Sequence, residues 1–234
     1  MRDLKIKESI CVRLMSLVII VSLLFTNFAF AGESSANLEY ANEKVRLDIY
    51  NPTFPQCPVV ILIHGAAGIE GDRAERYRGF ATDLMNEGMI AINVHYFDSK
   101  KENWVETIIQ TLNYVQNIGN ADTDRIGIVG YSLGGTIALL VSSIDRRVKV
   151  LALNSGFLPN GFTREKAARL PKTLMISGSN DTAMNTLNTL KQWFIESGNP
   201  FETKINEGLG HDDVPLDVFQ ENWQAIVKFL FDNL

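Results

Sequence analysis

Three residues, far apart along the chain, have the types and the order that covalent catalysis by a serine requires. The first is Ser132, in the run Gly130-Tyr131-Ser132-Leu133-Gly134. This run follows an apolar, β-branched segment and opens a pattern of helical periodicity, which indicates a sharp strand-to-helix turn that lifts the serine hydroxyl above a sheet. The start of the helix also favours negative charge developing there. The alternative interpretation is a glycine-rich turn that binds a phosphate or only reverses the chain.

A serine hydroxyl needs a general base, and histidine is the usual one. The chain has three histidines, His64, His95 and His211, and only His211 follows Ser132. In sites built on a strand–serine–helix turn the chain order is serine, acid, histidine. We therefore predict that His211, in a glycine-rich loop before the last helix, is the base. We expect His64 to shape its own loop by hydrogen bonding, and His95 to lie in the core or a pocket wall.

The acid should follow a strand between the serine and the histidine. Asp181 comes directly after a predicted strand, and it would hold the imidazole tautomer and stabilise the imidazolium. The other candidates are less well placed. Asp145 ends the helix after Ser132, Glu196 lies on a later helix, and Asp212 and Asp213 are too near His211 in sequence to face it easily.

A tetrahedral intermediate needs two N–H donors directed at its oxyanion. We predict one at the backbone of Leu133 and the other at Ala66, in the run His64-Gly65-Ala66-Ala67-Gly68 that follows the first buried strand. The remaining pocket walls are expected from loops at the carboxyl ends of the strands. These predicted wall residues are Ala67, Tyr96, Phe97, Tyr131, Phe157 and Met184.

The elements that would position these residues alternate between strand and helix. Apolar, β-branched or alternating runs predict strands at 45–50, 58–64, 89–96, 125–131, 148–154, 173–177 and 201–205. Apolar residues at helical spacing predict helices at 77–85, 105–115, 133–144, 163–170, 185–197 and 219–230. This alternation indicates an α/β fold with a mostly parallel, doubly wound sheet and helices on both faces. Residues 155–172 are too few for a cap domain, so we expect a shallow, open cleft.

The amino terminus has the pattern of a secretory signal peptide. Residues 1–13 carry four basic and two acidic side chains, an apolar run follows, and Ala29-Phe30-Ala31 ends it. We predict cleavage after Ala31, a secreted or periplasmic location, and a single domain over residues 32–234. A retained membrane anchor is the alternative, although the apolar run is short for a full span.

Composition narrows the classes of partner and cofactor. The chain has 234 residues, 46% hydrophobic and 21% charged, which is typical of a globular protein. Its formal net charge of −5 and the absence of a basic run argue against nucleic acid as a partner. No apolar stretch beyond the signal is long enough for a membrane span. No metal-ligand spacing and no phosphate-binding motif occur, so we expect neither a metal nor another cofactor.

The set HGAAG, VHYFDS, RIGIVGYSLGG, GSNDT and GLGHDD resembles the dienelactone hydrolase-like branch of the α/β-hydrolases. The likeness runs from about Val45 to the carboxyl terminus. It implies an esterase-like hydrolase without a cofactor, acting on a small ester or lactone through Ser132, Asp181 and His211. The name-giving enzymes of that branch use a cysteine where this chain has Ser132. A peptidase or amidase with the same triad, and a non-catalytic binding protein on the same scaffold, are the alternatives.

Overall fold

A computed structural model describes residues 32–211 and 215–234. The predicted signal peptide, residues 1–31, lies outside the described residues, as do Asp212 and Asp213. The strands are β1 (Gly32–Tyr40), β2 (Glu43–Asn51), β3 (Cys57–Ile63), β4 (Ile90–Val94), β5 (Ala121–Tyr131), β6 (Val148–Asn154), β7 (Lys172–Gly178) and β8 (Phe201–Asn206). The helices are α1 (Asp72–Asn86), α2 (Trp104–Tyr114), α3 (Leu133–Ile144), α4 (Arg164–Ala167), α5 (Met184–Ser197) and α6 (Leu216–Asn233).

The described strands form one eight-stranded sheet in the order β1-β2-β4-β3-β5-β6-β7-β8. The pairs β1–β2 and β2–β4 are antiparallel, whereas every pair from β4 to β8 is parallel. The carboxyl ends of the parallel strands therefore meet at one edge, where ligands bind in open α/β sheets. The predicted mostly parallel α/β sheet is confirmed.

The core lies on both faces of the sheet. In β3, Val59, Ile61 and Ile63 face one apolar cluster while Val60 and Leu62 face the other. Helices α2, α3, α4 and α5 cover the first face, and α1 and α6 cover the second. A strand covered on both sides needs apolar residues at every position, which is why β3 reads as a continuous apolar run.

The sheet has one more strand at its amino-terminal edge than the sequence predicted. Strand β1 pairs with β2 over its whole length, through a turn in which Ala41 and Asn42 both have positive φ. A two-residue turn of this kind normally carries Asn-Gly or Asp-Gly, and alanine gives no such signal. The strand predicted at residues 45–50 is present as β2, but it is not at the edge of the sheet, because β1 pairs along its outer side.

The connection between β6 and β7, residues 155–171, contains a single four-residue helix, α4. Among residues 32–211 and 215–234, no helix combines the length and the apolarity that a membrane span requires.

Candidate active site

Ser132 occupies the sharp turn between β5 and α3 with an unusual backbone, φ 52° and ψ −116°. A side chain on either neighbouring glycine would prevent this turn. A Cβ on Gly130 would lie 2.5 Å from the carbonyl oxygen of Gly134, and a Cβ on Gly134 would lie 2.1 Å from that of Ile63. Both distances are far below van der Waals contact, so glycine is required at each position. The two glycines bring β5, α3 and the end of β3 together beneath the serine hydroxyl.

The structure brings the three sequence-predicted residues into one hydrogen-bonded chain. The Oγ of Ser132 lies 2.8 Å from Nε2 of His211. The Nδ1 of His211 lies 2.9 and 3.0 Å from the two carboxylate oxygens of Asp181. The Asp181 side chain is fully buried, whereas that of His211 is 23% exposed. A buried carboxylate accepts from Nδ1–H, and this leaves Nε2 free to accept the serine proton.

The rival acids are engaged elsewhere. Asp145 forms an ion pair with Arg147 at the far end of α3, and Glu196 pairs with Arg164. Asp181 instead sits just before α5, where one of its carboxylate oxygens also accepts the N–H of Ala183 at 2.8 Å. A helix start supplies unpaired N–H donors, and these stabilise a buried negative charge.

The loop that carries His211 is bound to the turn after β7 by several hydrogen bonds. Asn180 donates from its backbone to Leu209 at 2.9 Å and from its side chain to Gly208 at 3.0 Å. In return, the N–H of Gly208 donates to the hydroxyl of Ser179 at 2.8 Å. A Cβ on Gly178 would lie 2.2 Å from the carbonyl oxygen of Leu209, so glycine is needed for this close approach. Asp181 and His211 are thus positioned by two loops that are hydrogen-bonded to each other.

The loop after β3 approaches the serine from the other side. A Cβ on Gly65 would lie 3.4 Å from Cβ of Ser132. Within the described residues, the backbone N–H groups of Ala66 and Leu133 donate to no protein acceptor. Leu133 is the first residue of α3, where helix geometry leaves the N–H without an intrahelical partner. The assignment of these two groups as oxyanion donors stays a prediction.

His64 is buried and shapes this loop. Its Nδ1–H donates to the carbonyl of Gly65 at 2.8 Å, and its ring stacks on Tyr96 with ring centres 4.2 Å apart. Burial lowers the pKa of His64 to about 4, which keeps the ring neutral at neutral pH. His95 is also buried and lies 2.7 Å from the carboxylate of Asp48 on β2. Neither histidine hydrogen-bonds to Ser132.

The six predicted wall residues differ in burial and in their neighbours. Phe157 packs on His211, with ring centres 5.1 Å apart, and Phe97 is 41% exposed beside His64. Tyr96 is wrong as a pocket wall, because it is fully buried and its hydroxyl donates to the carbonyl of His64 at 2.8 Å. Met184 begins α5 and packs against the apolar core. Only Ala67 and Tyr131 line the cavity described next.

A cavity of about 130 Å³ opens beside the serine turn and runs between α1 and α6. The sequence did not predict it, since only a shallow cleft was expected. Its lining consists of Leu62, Ile63, Gly65, Ala67, Gly68, Arg73, Arg76, Tyr77, Phe80, Val129, Tyr131, Asn154, Phe219, Trp223 and Ile226. Several of these residues form the apolar faces of α1 and α6, and helical spacing alone assigns them to the core. No cluster of three potential metal ligands occurs among residues 32–211 and 215–234.

Comparison with known proteins supports the fold. A family model described as BD-FAE matches residues 47–157. The 5-methylorsellinic acid synthase of Aspergillus terreus is 25% identical over 114 residues, which cover 41% of this chain and 4% of the synthase. The chain therefore spans a very small part of that curated relative.

Solved structures of three hydrolases share the architecture. An esterase of Pyrobaculum calidifontis has a TM-score of 0.72 at 16% identity, with coverage of 93% of this chain and 90% of the esterase. A dienelactone hydrolase of Anabaena variabilis has a TM-score of 0.69 at 13% identity, with coverage of 87% and 98%. A puromycin-hydrolyzing peptidase of Mycobacterium tuberculosis has a TM-score of 0.72 at 17% identity, but the 89% of this chain that aligns covers only 40% of the peptidase.

Proposed function

We propose that this chain, which shares its fold with α/β-hydrolases, is a serine hydrolase that cleaves small carboxylic esters or lactones. The single observation that supports this most strongly is the hydrogen-bonded chain from Ser132 through His211 to the buried carboxylate of Asp181. A serine hydroxyl linked in this way can transfer its proton while it attacks a carbonyl carbon.

In the first half-reaction, Ser132 Oγ attacks the ester carbonyl and Nε2 of His211 takes the hydroxyl proton. The carbonyl oxygen becomes an oxyanion, which the N–H groups of Leu133 and Ala66 would stabilise. The tetrahedral intermediate then expels the alcohol, which takes the proton from His211, and an acyl-enzyme on Ser132 remains. Asp181 keeps the imidazole in the correct tautomer and stabilises its positive charge.

In the second half-reaction, water attacks the acyl carbonyl while His211 again removes a proton. Collapse of the second tetrahedral intermediate returns that proton to Ser132 and releases the carboxylic acid. The exposed edge of His211 lies where water can reach it, since 23% of this side chain contacts solvent. The proton of Ser132 leaves on the alcohol, and a proton of the attacking water replaces it through His211.

Amide cleavage by the same three residues is the second candidate, because the scaffold is shared with the puromycin-hydrolyzing peptidase. An amide nitrogen leaves less readily than an ester oxygen and depends more on protonation by His211. Parallel assays on p-nitrophenyl esters, small lactones and p-nitroanilides separate these two activities. Higher kcat/KM on the anilides than on the esters would contradict our preference for esters.

The triad is tested by substitution and by a fluorophosphonate probe that reacts with activated serines. Ser132→Ala and His211→Ala should each lower kcat by on the order of 10⁴- to 10⁶-fold, and the double variant should be little worse than either, because the two residues act as one unit. Asp181→Asn should lower kcat by up to about 10⁴-fold, since it disturbs the tautomer of the base.

Ser155→Ala is the matched control for labelling. Ser155 follows the adjacent strand β6 and also has a positive φ, but it lies outside the chain of hydrogen bonds. This variant should label at the wild-type rate, whereas Ser132→Ala should not label. Labelling of Ser132→Ala would show that the mechanism is wrong. So would a loss of kcat in the double variant that equals the product of the two single losses. A wild-type protein that neither labels nor turns over would favour a binding protein.

A further inference from the structure

The cavity between α1 and α6 reaches the serine turn at two points. Gly65, which approaches Ser132 from the loop after β3, forms part of its wall. Tyr131, the residue before Ser132, forms another part, and its hydroxyl donates to the carbonyl of His211 at 3.4 Å. The cavity is therefore adjacent to the reacting serine, and it is not an isolated defect of the core.

Much of the cavity wall consists of aromatic rings and aliphatic side chains. Phe80 stacks on Trp223 with ring centres 4.2 Å apart and on Phe219 with ring centres 5.4 Å apart. Leu62 on β3 and Val129 on β5 also line the cavity. The charged groups Arg73 and Arg76 are exposed on α1, and the guanidinium of Arg76 lies 4.8 Å from the centre of the Phe219 ring. The cavity is thus apolar inside and cationic at its outer rim.

The size of the cavity matches one six-membered ring. An apolar cavity of about 150 Å³ in another protein stays dry and binds benzene. The cavity in this chain, at about 130 Å³, is slightly smaller. Volume and polarity therefore point to one compact apolar ring and not to a long alkyl chain.

We propose that this cavity receives the acyl group of the substrate, and that the substrate class is esters whose acyl part carries a benzene-sized apolar ring. The proposal rests on the function proposed above. The departing alcohol must take its proton from His211, whose side chain is partly open to solvent, so the alcohol leaves on that side. The acyl group stays bonded to Ser132 after the alcohol has left, and it is the part that the apolar cavity beside Gly65 can hold.

The first test compares two esters with the same leaving group, p-nitrophenyl phenylacetate and p-nitrophenyl acetate. Wild-type protein should prefer the phenylacetate in kcat/KM. Ile226→Phe fills the cavity from α6 and should lower the phenylacetate-to-acetate ratio of kcat/KM by about tenfold or more. Each buried methylene equivalent that an apolar site loses changes kcat/KM about fourfold, and a phenyl ring is equivalent to several methylenes. Ile195→Phe is the matched control, since Ile195 is 65% exposed on α5 and outside the cavity. An unchanged ratio in Ile226→Phe would overturn the proposal.

The second test needs no catalysis and also covers the possibility that Ile226→Phe folds poorly. Toluene should raise the thermal midpoint of the inactive Ser132→Ala protein, because a ligand that binds only the folded state stabilises it. The rise should disappear in Ser132→Ala/Ile226→Phe and persist in Ser132→Ala/Ile195→Phe.

The outcomes separate the two proposals. Ester hydrolysis with no effect of toluene on Ser132→Ala would overturn the cavity assignment and leave the serine hydrolase standing. A different result is that the wild-type protein cleaves neither ester and fails to react with the fluorophosphonate, while toluene still stabilises Ser132→Ala. That result would overturn the proposed function, and it would also overturn the assignment of the cavity to an acyl group.

Discussion

Substitution of Gly178 by alanine perturbs the site without changing any of the three proposed catalytic side chains. The new Cβ would lie 2.2 Å from the carbonyl oxygen of Leu209 and 3.2 Å from that of Gly210. Carbon and oxygen atoms in contact are about 3.3 Å apart, so the loop must retreat by about 1 Å. His211 follows Gly210 directly and should move with it. Misplacement of a catalytic group by about 1 Å can cost about 10²-fold in rate.

We therefore expect Gly178→Ala to lower kcat/KM for p-nitrophenyl acetate, and the rate of fluorophosphonate labelling, by about 10²-fold. Circular dichroism should show an unchanged fold. The matched control is Gly79→Ala on α1, where a Cβ would meet nothing within 4 Å. The control should keep wild-type kcat/KM and gain about 0.5–1 kcal/mol in free energy of unfolding, since alanine suits a helix interior better than glycine. A folded Gly178→Ala protein with wild-type kcat/KM would show that this glycine does not set the position of His211.

Two further predictions concern stability. Because burial lowers the pKa of His64 to about 4 from 6.5, the unfolded state takes up a proton over that interval and the folded state does not. The free energy of unfolding should therefore fall by about 3 kcal/mol as pH drops from 6.5 to 4, and His64→Asn should lose this part of the pH dependence in urea titrations. The positive φ of Ser132 costs about 1–3 kcal/mol in an L-residue, so Ser132→Gly should be more stable to urea than Ser132→Ala by about 1 kcal/mol. Equal stabilities would mean that this turn stores no strain.

Local patterns predicted the parallel part of the sheet because they reflect burial on both faces. Strand β6 was predicted with its observed bounds, since burial on both faces makes most of its residues apolar. Strand β1 was missed for the opposite reason. Its first half is polar, only Ala36, Leu38 and Tyr40 pack against the core, and it pairs with β2 through the backbone over its whole length.

The order and types of residues also predicted which side chains would come together. A glycine pattern around Ser132, the position of Asp181 after a strand and the elimination of two other histidines were enough to select the three residues. Tyr96 shows where this reasoning fails. It follows the end of β4, where a pocket wall was expected, but its ring is needed to stack on His64 and is fully buried. Position along the chain does not reveal the direction of a side chain.

The sequence by itself determined the α/β architecture, the strand-to-helix turn at Ser132 and the identity of the candidate triad. All of these depend on short-range periodicity, on glycine and on chain order. Only the tertiary structure decided the hydrogen-bond distances of the triad, the pairing of Asp145 and Glu196 with arginines, and the cavity between α1 and α6. The physical reason is that a helix face reads as apolar whether it meets another side chain or an empty space. The distance between two helices distant in sequence is set by packing of the whole sheet.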